Sequence, residues 1–365
     1  MHAMLRWLGR FIAFTGPLGL IAHAVIFMGT GDPSHNTSPP TGVLADSGWQ
    51  FQGRWNGLFA TAIAPDFFIT AGHVGGESGQ AFEFQGHPYM AVASYLAPEA
   101  DLRLWRVVGT LPAYAPRYQG FSEPGHGVVV FGCGTQRGAP VVVQNETKGW
   151  LWGVGDGMHR WGTNTINQVV DAKGQTNSAP VPQPGDLLSC TFDAEAGGDE
   201  VTLSGGDSGG GMFLFDDGQW KLAGINLAVE ATFKSTMDGA EFNAAIFDRG
   251  GLIEQADNLE WVANDDAAEN LPAVLLAVRV SGNEGWISDV LAGRLVPERV
   301  VTVESSATIT GPFVVESAAQ LDAANARFLV PADGATRFYR LRANRALKLQ
   351  SLTAHGDTFI LNFAP

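Results

Sequence analysis

Ser204-Gly205-Gly206-Asp207-Ser208-Gly209-Gly210-Gly211, followed at once by Met212-Phe213-Leu214-Phe215, is the stretch on which the reading of this 365-residue chain turns. A serine set among glycines and leading into an apolar run reads as a nucleophile on a tight turn before a strand. Glycine tolerates positive φ and lets backbone N–H groups come close to a ligand. Amides so placed can stabilise an oxyanion, where one donor is worth about 10²–10³ in rate. The plain alternative is a flexible glycine-rich loop with an incidental serine, and two other segments decide between them.

A serine hydroxyl is a weak nucleophile near neutral pH and needs a base, which in turn needs an orienting group. Phe67-Phe68-Ile69-Thr70-Ala71-Gly72-His73-Val74 reads as a buried strand ending in small residues with a histidine at its tip. Ala100-Asp101-Leu102-Arg103-Leu104-Trp105-Arg106-Val107 places an aspartate at the start of an alternating strand. His35, His87, His126, His159 and His355 lack such a context and read as surface or structural residues. Asp156 is the rival of Asp101, but it lies in the glycine-rich run of residues 153–157, which reads as a turn.

The order His73, Asp101, Ser208 and the motifs around these residues resemble the chymotrypsin/trypsin family of serine peptidases. Thr70-Ala71-Gly72-His73-Val74 is similar to that family's T-A-A-H-C, with Gly72 and Val74 as departures. Ala100-Asp101-Leu102-Arg103-Leu104 is similar to its D-I-A-L segment, and Gly206-Asp207-Ser208-Gly209-Gly210 matches its G-D-S-G-G. Leu222-Ala223-Gly224-Ile225 resembles the strand walling the primary specificity pocket, and residues 279–287 the closing strand and C-terminal helix. The resemblance spans roughly residues 25–291 and is that of an exported bacterial-type member with a C-terminal β module.

The resemblance implies an all-β fold, a chymotrypsin-like double β-barrel with a C-terminal helix, followed by a small β-sandwich-like module. It implies a catalytic triad of His73, Asp101 and Ser208, with the amides of Gly206 and Ser208 as the oxyanion hole. Thr202, six residues before Ser208, falls at the base of the primary pocket, and Leu227 and Val229 on its wall. Thr202 is not an aspartate, and a branched Val229 narrows the pocket, so small aliphatic residues before the scissile bond are expected rather than Arg or Lys. The family pairs a newly made N-terminal ammonium with the aspartate before the nucleophile. Here that pair is Val25 and Asp207, with local hydrogen bonds to Asp207 as the other possibility.

Composition agrees with an all-β protein: 46 glycines, 16% charged residues, and short apolar runs parted by Gly, Pro, Asn and Asp. A net charge of −15 argues against a nucleic-acid surface. No metal-ligand spacing or phosphate loop is present in the sequence, and no cofactor is expected. Protein or peptide substrates are the expected partners. Arg6 and Arg10 flank an apolar run over residues 11–28, and Ala22-His23-Ala24 is an A-x-A cleavage site. Residues 1–24 therefore read as a signal peptide and the protein as secreted or periplasmic. Cys133 and Cys190 are the two cysteines, either paired or left as separate buried thiols.

Along the chain, residues 25–48 read as an extended lead-in. Strands are expected at 58–63, 67–70, 81–84, 89–95 and 102–108 in a first barrel. A second barrel follows with strands at 128–131, 141–144, 187–192, 212–215 and 222–229. Residues 252–262, in an insertion relative to the family pattern, have a helical composition. Asn283 is placed to cap a last helix with Trp286, Ile287 and Val290 on one face. Residues 296–365 read as a separate β module that stabilises the chain or contacts a surface or polymer. Two other functions compete: a catalytically inactive peptidase homologue that binds a partner, and an esterase of the α/β-hydrolase type. The second needs a histidine after the serine, and His355 alone qualifies.

Overall fold

The computed structural model describes residues 25–172, 185–256, 260–267, 269–332, 337–345 and 347–364. The signal-peptide reading of residues 1–24 lies outside them. The first half of the chain follows from alternating apolar residues on short strands. After β1 (Ile26–Phe27) come β2 (Gln52–Trp55), β3 (Leu58–Ala64), β4 (Phe67–Ala71), β5 (Ala81–Phe84), β6 (His87–Leu96) and β7 (Leu102–Val107). They are hydrogen-bonded in the order β6-β5-β2-β3-β4-β7, and β7 returns to β6, which closes a six-stranded antiparallel barrel. Its interior is filled by Trp55, Phe68, Phe82 and Trp105, all fully buried.

The second half contains β8 (Gly127–Gly132), β9 (Arg137–Val143), β10 (Glu146–Trp152), β11 (Arg160–Thr165), β12 (Gln168–Ala172), β13 (Gly185–Thr191) and β14 (Val201–Thr202). It continues with β15 (Gly211–Asp216), β16 (Gln219–Val229), β17 (Thr232–Lys234), β18 (Phe242–Ile246), β19 (Ile253–Gln255), β20 (Trp261–Ala263) and β21 (Val274–Arg279). These strands make a seven-stranded sheet, β11-β8-β15-β16-β21-β13-β12, and a six-stranded one, β20-β19-β17-β18-β10-β9. Asn164 of β11 donates to the carbonyls of Thr191 and Val201, both at 2.9 Å, so the larger sheet curls on itself. Together with α1 (Glu284–Leu291) this is the chymotrypsin-like two-barrel architecture. The two halves share one apolar core that includes Phe131, Phe213, Leu222 and Ile225 as well as the first-barrel aromatics.

Beyond α1 lie β22 (Arg299–Val300), β23 (Thr302–Ser306), β24 (Val314–Val315), β25 (Gln320–Asp322), β26 (Arg327–Pro331), β27 (Phe338–Arg342), β28 (Lys348–His355) and β29 (Thr358–Ala364). They form a three-stranded sheet, β24-β23-β27, over a four-stranded one, β25-β26-β29-β28. The sandwich is not set apart from the barrels. β22 extends the first barrel by pairing with β6, and Met90 and Val92 of β6 join Val303, Phe328, Val330 and Phe363 in one core.

Several expectations are corrected. The lead-in begins with an extended strand that joins the core: Val25, Ile26 and Phe27 are buried, and β1 pairs with β14. Within the stretch 252–262, the described residues 252–256 and 260–262 are not helical. They include β19 and β20, because Leu252 buries against Phe233 and Val141 while Glu254 turns to Arg249. Asn283 does stand at the N-cap of α1, but its side chain donates to the Arg279 carbonyl at 2.8 Å rather than to the helix. Cys133 and Cys190 are separate buried thiols. The α/β-hydrolase alternative fails, since the strands are antiparallel and His355 is exposed on β28.

Candidate active site

The all-buried strand β4 ends in Ala71, and a single 3₁₀ turn, Gly72–Val74, follows. The Gly72 N–H donates to the main-chain carbonyl of Asp101 at 2.9 Å, which anchors the turn to the start of β7. Asp101 is fully buried and binds the next residue twice. Its Oδ1 accepts the His73 backbone N–H at 2.8 Å, and its Oδ2 lies 2.5 Å from His73 Nδ1. On the other side of the ring, Nε2 is 2.8 Å from Ser208 Oγ. The carboxyl, imidazole and hydroxyl thus form one hydrogen-bonded line across the junction of the two barrels. Burial, the largest influence on His73, lowers its pKa, yet the charge and hydrogen bond of Asp101 together leave it above its ordinary value of 6.5.

The Ser208 turn is held by its main chain and by two side chains from the barrels. Gly209 has φ +82, and a Cβ there would clash with the Phe59 carbonyl oxygen and Thr70 Oγ1, so only glycine fits. Its N–H donates to the Asn226 carbonyl at 3.0 Å, and the Asn226 N–H donates to the Gly210 carbonyl at 2.9 Å. The Asn226 side-chain nitrogen reaches the carbonyls of Phe131 (2.8 Å) and Asp207 (3.2 Å). Gln52 Oε1 accepts the Gly211 N–H at 3.0 Å while its nitrogen donates to Thr61 at 2.9 Å. Among the described residues no hydrogen bond engages the N–H of Gly206 or Ser208, so both amides remain open to a ligand oxygen. The thiol of Cys133 lies 3.5 Å from the Gly206 carbonyl.

Asp207 is buried beneath the turn. Its carboxylate accepts the N–H groups of Gly134 (2.5 Å) and Ser204 (2.7 Å) and the Ser204 hydroxyl (3.1 Å). A Cβ built on Gly132 would meet both Asp207 Oδ1 and Val25 Cγ1, which puts Val25 beside the carboxylate. No cationic side chain pairs with Asp207 among the described residues. Burial is the main cause that pushes its pKa up to about 7.

The residues expected on the specificity pocket are spread over two strands. Thr202 is buried on β14, opposite Ile26, with its hydroxyl unpartnered among the described residues. Val229 is buried in the second-barrel core, and Leu227 is half-buried on the same strand, next to the irregularity between Asn226 and Ala228. Asp156, the rival carboxylate, is held down at about 2 by its bonds to Arg160 and lies in the irregular segment between β10 and β11 rather than on a turn. Asn226 and Gln52 were not singled out from the sequence, and Cys133 was named only for its possible pairing with Cys190, not for a place beside the Ser208 turn. A buried amide inside an apolar strand was the available signal for Asn226. Gln52 and Cys133 carried none, because their partners lie 159 and 73 residues away.

No family model matches the chain, and no curated protein sequence does. Similar chains exist among solved structures. An inactive form of Rv3671c from M. tuberculosis H37Rv, a serine-to-alanine mutant, is 17% identical with a TM-score of 0.37 over 71% of this chain and 97% of that one. The Rv3671c protease in another inactive form is 19% identical with a TM-score of 0.34 over 57% and 92%. The active form of the Rv3671c protease from M. tuberculosis is 19% identical with a TM-score of 0.31 over 52% and 67%.

Proposed function

We propose that this protein is a serine endopeptidase whose nucleophile is Ser208. The observation that carries the reading is the line Asp101–His73–Ser208, bonded at 2.5 Å and 2.8 Å, with the amides of Gly206 and Ser208 left open beside the hydroxyl. In this reading Ser208 Oγ attacks a peptide carbonyl while His73 Nε2 takes its proton. Asp101 holds the imidazole in the right tautomer and stabilises the imidazolium. The two amides bind the oxyanion of the tetrahedral intermediate. His73 then gives its proton to the departing amine, leaving an ester on Ser208. Water attacks that ester, its proton passing to His73 and on to Ser208 as the acid leaves.

Three finer points belong to the same proposal. Thr202 at the pocket base offers no charge to a basic side chain, and with Leu227 and Val229 it favours small aliphatic residues before the scissile bond. The protein acts after export, on protein or peptide substrates outside the cytoplasm. Cleavage after Ala24 frees an ammonium at Val25, which pairs with the buried Asp207 carboxylate and fixes the turn that carries Ser208.

A fluorophosphonate probe tests the reading, because only an activated serine reacts readily. Labelling confined to Ser208, and lost with about a 10⁶-fold fall in turnover in Ser208→Ala, is the expected result. An unlabelled but folded protein makes the chain an inactive homologue that binds rather than cleaves.

A further inference from the structure

The loop that follows His73 is held at both ends by the first barrel and in its middle by the far end of the chain. It runs Val74-Gly75-Gly76-Glu77-Ser78-Gly79-Gln80. Gly76 has φ +113, and a Cβ there would clash with the Trp55 ring, so the backbone takes a path that glycine alone permits. Such a segment fixes little of its own conformation and depends on external partners. Its first carbonyls are met by the first barrel: Asn56 Nδ2 donates to Val74 at 2.7 Å and Trp55 Nε1 to Gly75 at 2.9 Å.

At Gly76, Glu77 and Ser78 the partners come from the C-terminal segment, while Gly79 and Gln80 are tied back to Ala91 of β6 at 2.7 and 2.8 Å. Arg299 on β22 donates to the Gly76 carbonyl at 2.5 Å. The Arg345 N–H donates to the Ser78 carbonyl at 3.2 Å, and the Asn344 N–H to the Ser78 hydroxyl at 3.3 Å. That hydroxyl in turn donates to Asn344 Oδ1 at 3.3 Å, and Ser78 is fully buried there. Arg345 also pairs with Glu77 at 3.3 Å, an exposed contact of small worth. The same segment reaches the strand of Asp101. Glu298 accepts from Arg103 at 2.5 Å, two residues beyond the aspartate, and β22 lies alongside β6.

We infer that the C-terminal module is an internal clamp on the triad, with Arg299, Asn344 and Arg345 as positioning residues for His73. The inference rests on the peptidase reading of Ser208 and assigns the module a task within it. No residue of the module touches the triad. It acts by holding the loop whose first turn carries the imidazole between Asp101 and Ser208. A displacement of about 1 Å in such a group costs up to about 10²-fold in rate.

The test uses the full chain and Arg299→Ala, which removes the donor to Gly76 from a half-exposed position. Arg299→Lys is the conservative partner and Ser78→Ala the second site. Three quantities are read: the rate of fluorophosphonate labelling, kcat and KM on a peptide substrate, and the low-field proton resonance of the His73–Asp101 hydrogen bond. In Arg299→Ala, labelling and kcat are expected to fall about 10- to 100-fold with KM within about twofold. The resonance is expected to broaden, and Arg299→Lys to restore most of each signal. Folded Arg299→Ala and Ser78→Ala proteins with parental labelling, kcat and resonance would overturn the clamp, as would a lysine variant no better than the alanine one. An unlabelled parent defeats the peptidase reading alone, because the resonance still reports whether the loop holds the imidazole.

Discussion

Asn226 donates from its side-chain nitrogen to the main-chain carbonyl of Asp207, 3.2 Å away, in the buried ground behind the Ser208 turn. The same nitrogen reaches Phe131, and the Asn226 main chain bonds to Gly209 and Gly210. One residue of β16 therefore ties the turn to the strand behind it. In Asn226→Ala the main-chain bonds persist, but the Phe131 carbonyl loses its amide donor and the Asp207 carbonyl keeps only the Gly210 N–H, at a cost of about 1–3 kcal/mol. The turn is the weakly supported side of this contact, so Ser208 is expected to lose more than global stability does. Fluorophosphonate labelling should slow at least tenfold in a protein that still melts cooperatively. Parental labelling with a lowered melting temperature would make Asn226 a packing residue only.

In the proposed mechanism the His73 imidazole must be neutral to take the Ser208 proton. Burial lowers its pKa, but Asp101 overcomes this and holds it above 6.5. The acidic limb of kcat/KM is accordingly expected above pH 6.5, with activity rising as the ring deprotonates. Asp101→Asn removes the charge and offers a donor where His73 Nδ1–H needs an acceptor. Turnover should drop about 10⁴-fold, as in other triads. An acidic limb below pH 6, or an Asp101→Asn variant within tenfold of the parent, would contradict the role given to Asp101.

Asp207 couples stability to pH in the full chain. Its carboxyl is pushed from 3.8 up to about 7 by burial, so the folded state binds the proton more tightly than the unfolded one. Stability from this group is complete below pH 4 and is lost as pH rises through about 7. Glu200, pushed up to about 8 chiefly by burial, acts in the same direction. The comparison that isolates Asp207 is therefore with Asp207→Asn, which should flatten the melting-temperature profile between pH 4 and 7. A chain beginning at Val25 should gain stability at pH 8 over the full chain, since its ammonium can pair with the ionised carboxylate, and Asp207→Asn should abolish that gain. Equal melting temperatures for the two chain lengths at pH 8 would remove the activation step proposed for Val25.

The three segments that define the site were legible because each is local. Gly206-Asp207-Ser208-Gly209-Gly210 must be glycine-rich, as the contact of Gly209 with Phe59 and Thr70 shows, and a strand ending in Thr-Ala-Gly-His advertises itself. The two barrels were legible from apolar runs cut by turn residues. What escaped were features set by distant pairing. The stretch 252–262 carries helix-favouring residues, yet Leu252 gains more by burying against Phe233, and strands form at Ile253–Gln255 and Trp261–Ala263. The lead-in read only as an extended segment; that Arg160 donates to its Pro33 carbonyl and Trp161 to that of Ser38 at 2.8 Å was not legible. The shared core of the C-terminal sandwich escaped because Met90 and Val92 lie more than 200 residues before their partners.

Lys148 shows how the second barrel fastens its outer sheet. Its ammonium is buried and meets Asp248 at 2.6 Å, Asp266 at 2.9 Å and Glu146 at 3.1 Å, and these carboxylates raise its pKa. Asp248 also accepts the N–H groups of Gly250 (2.9 Å) and Leu271 (3.1 Å), so the cluster pins the turn after β18 to β10. Lys148→Met would leave Asp248 buried without its cation, at a cost of about 3–5 kcal/mol. Despite burial, Asp248 is held below 3.8 by Lys148 and the two amides, so its contribution is present at neutral pH and lost as pH falls through that lowered value. In Lys148→Met the carboxyl should instead titrate upward, and the deficit against the parent should shrink from pH 7 toward pH 4. Asp248→Asn added to Lys148→Met should recover part of the loss at pH 7, because no uncompensated charge remains. Denaturant midpoints across that pH range decide the matter: a deficit that does not change with pH would mean that lost packing, not the stranded carboxylate, causes it.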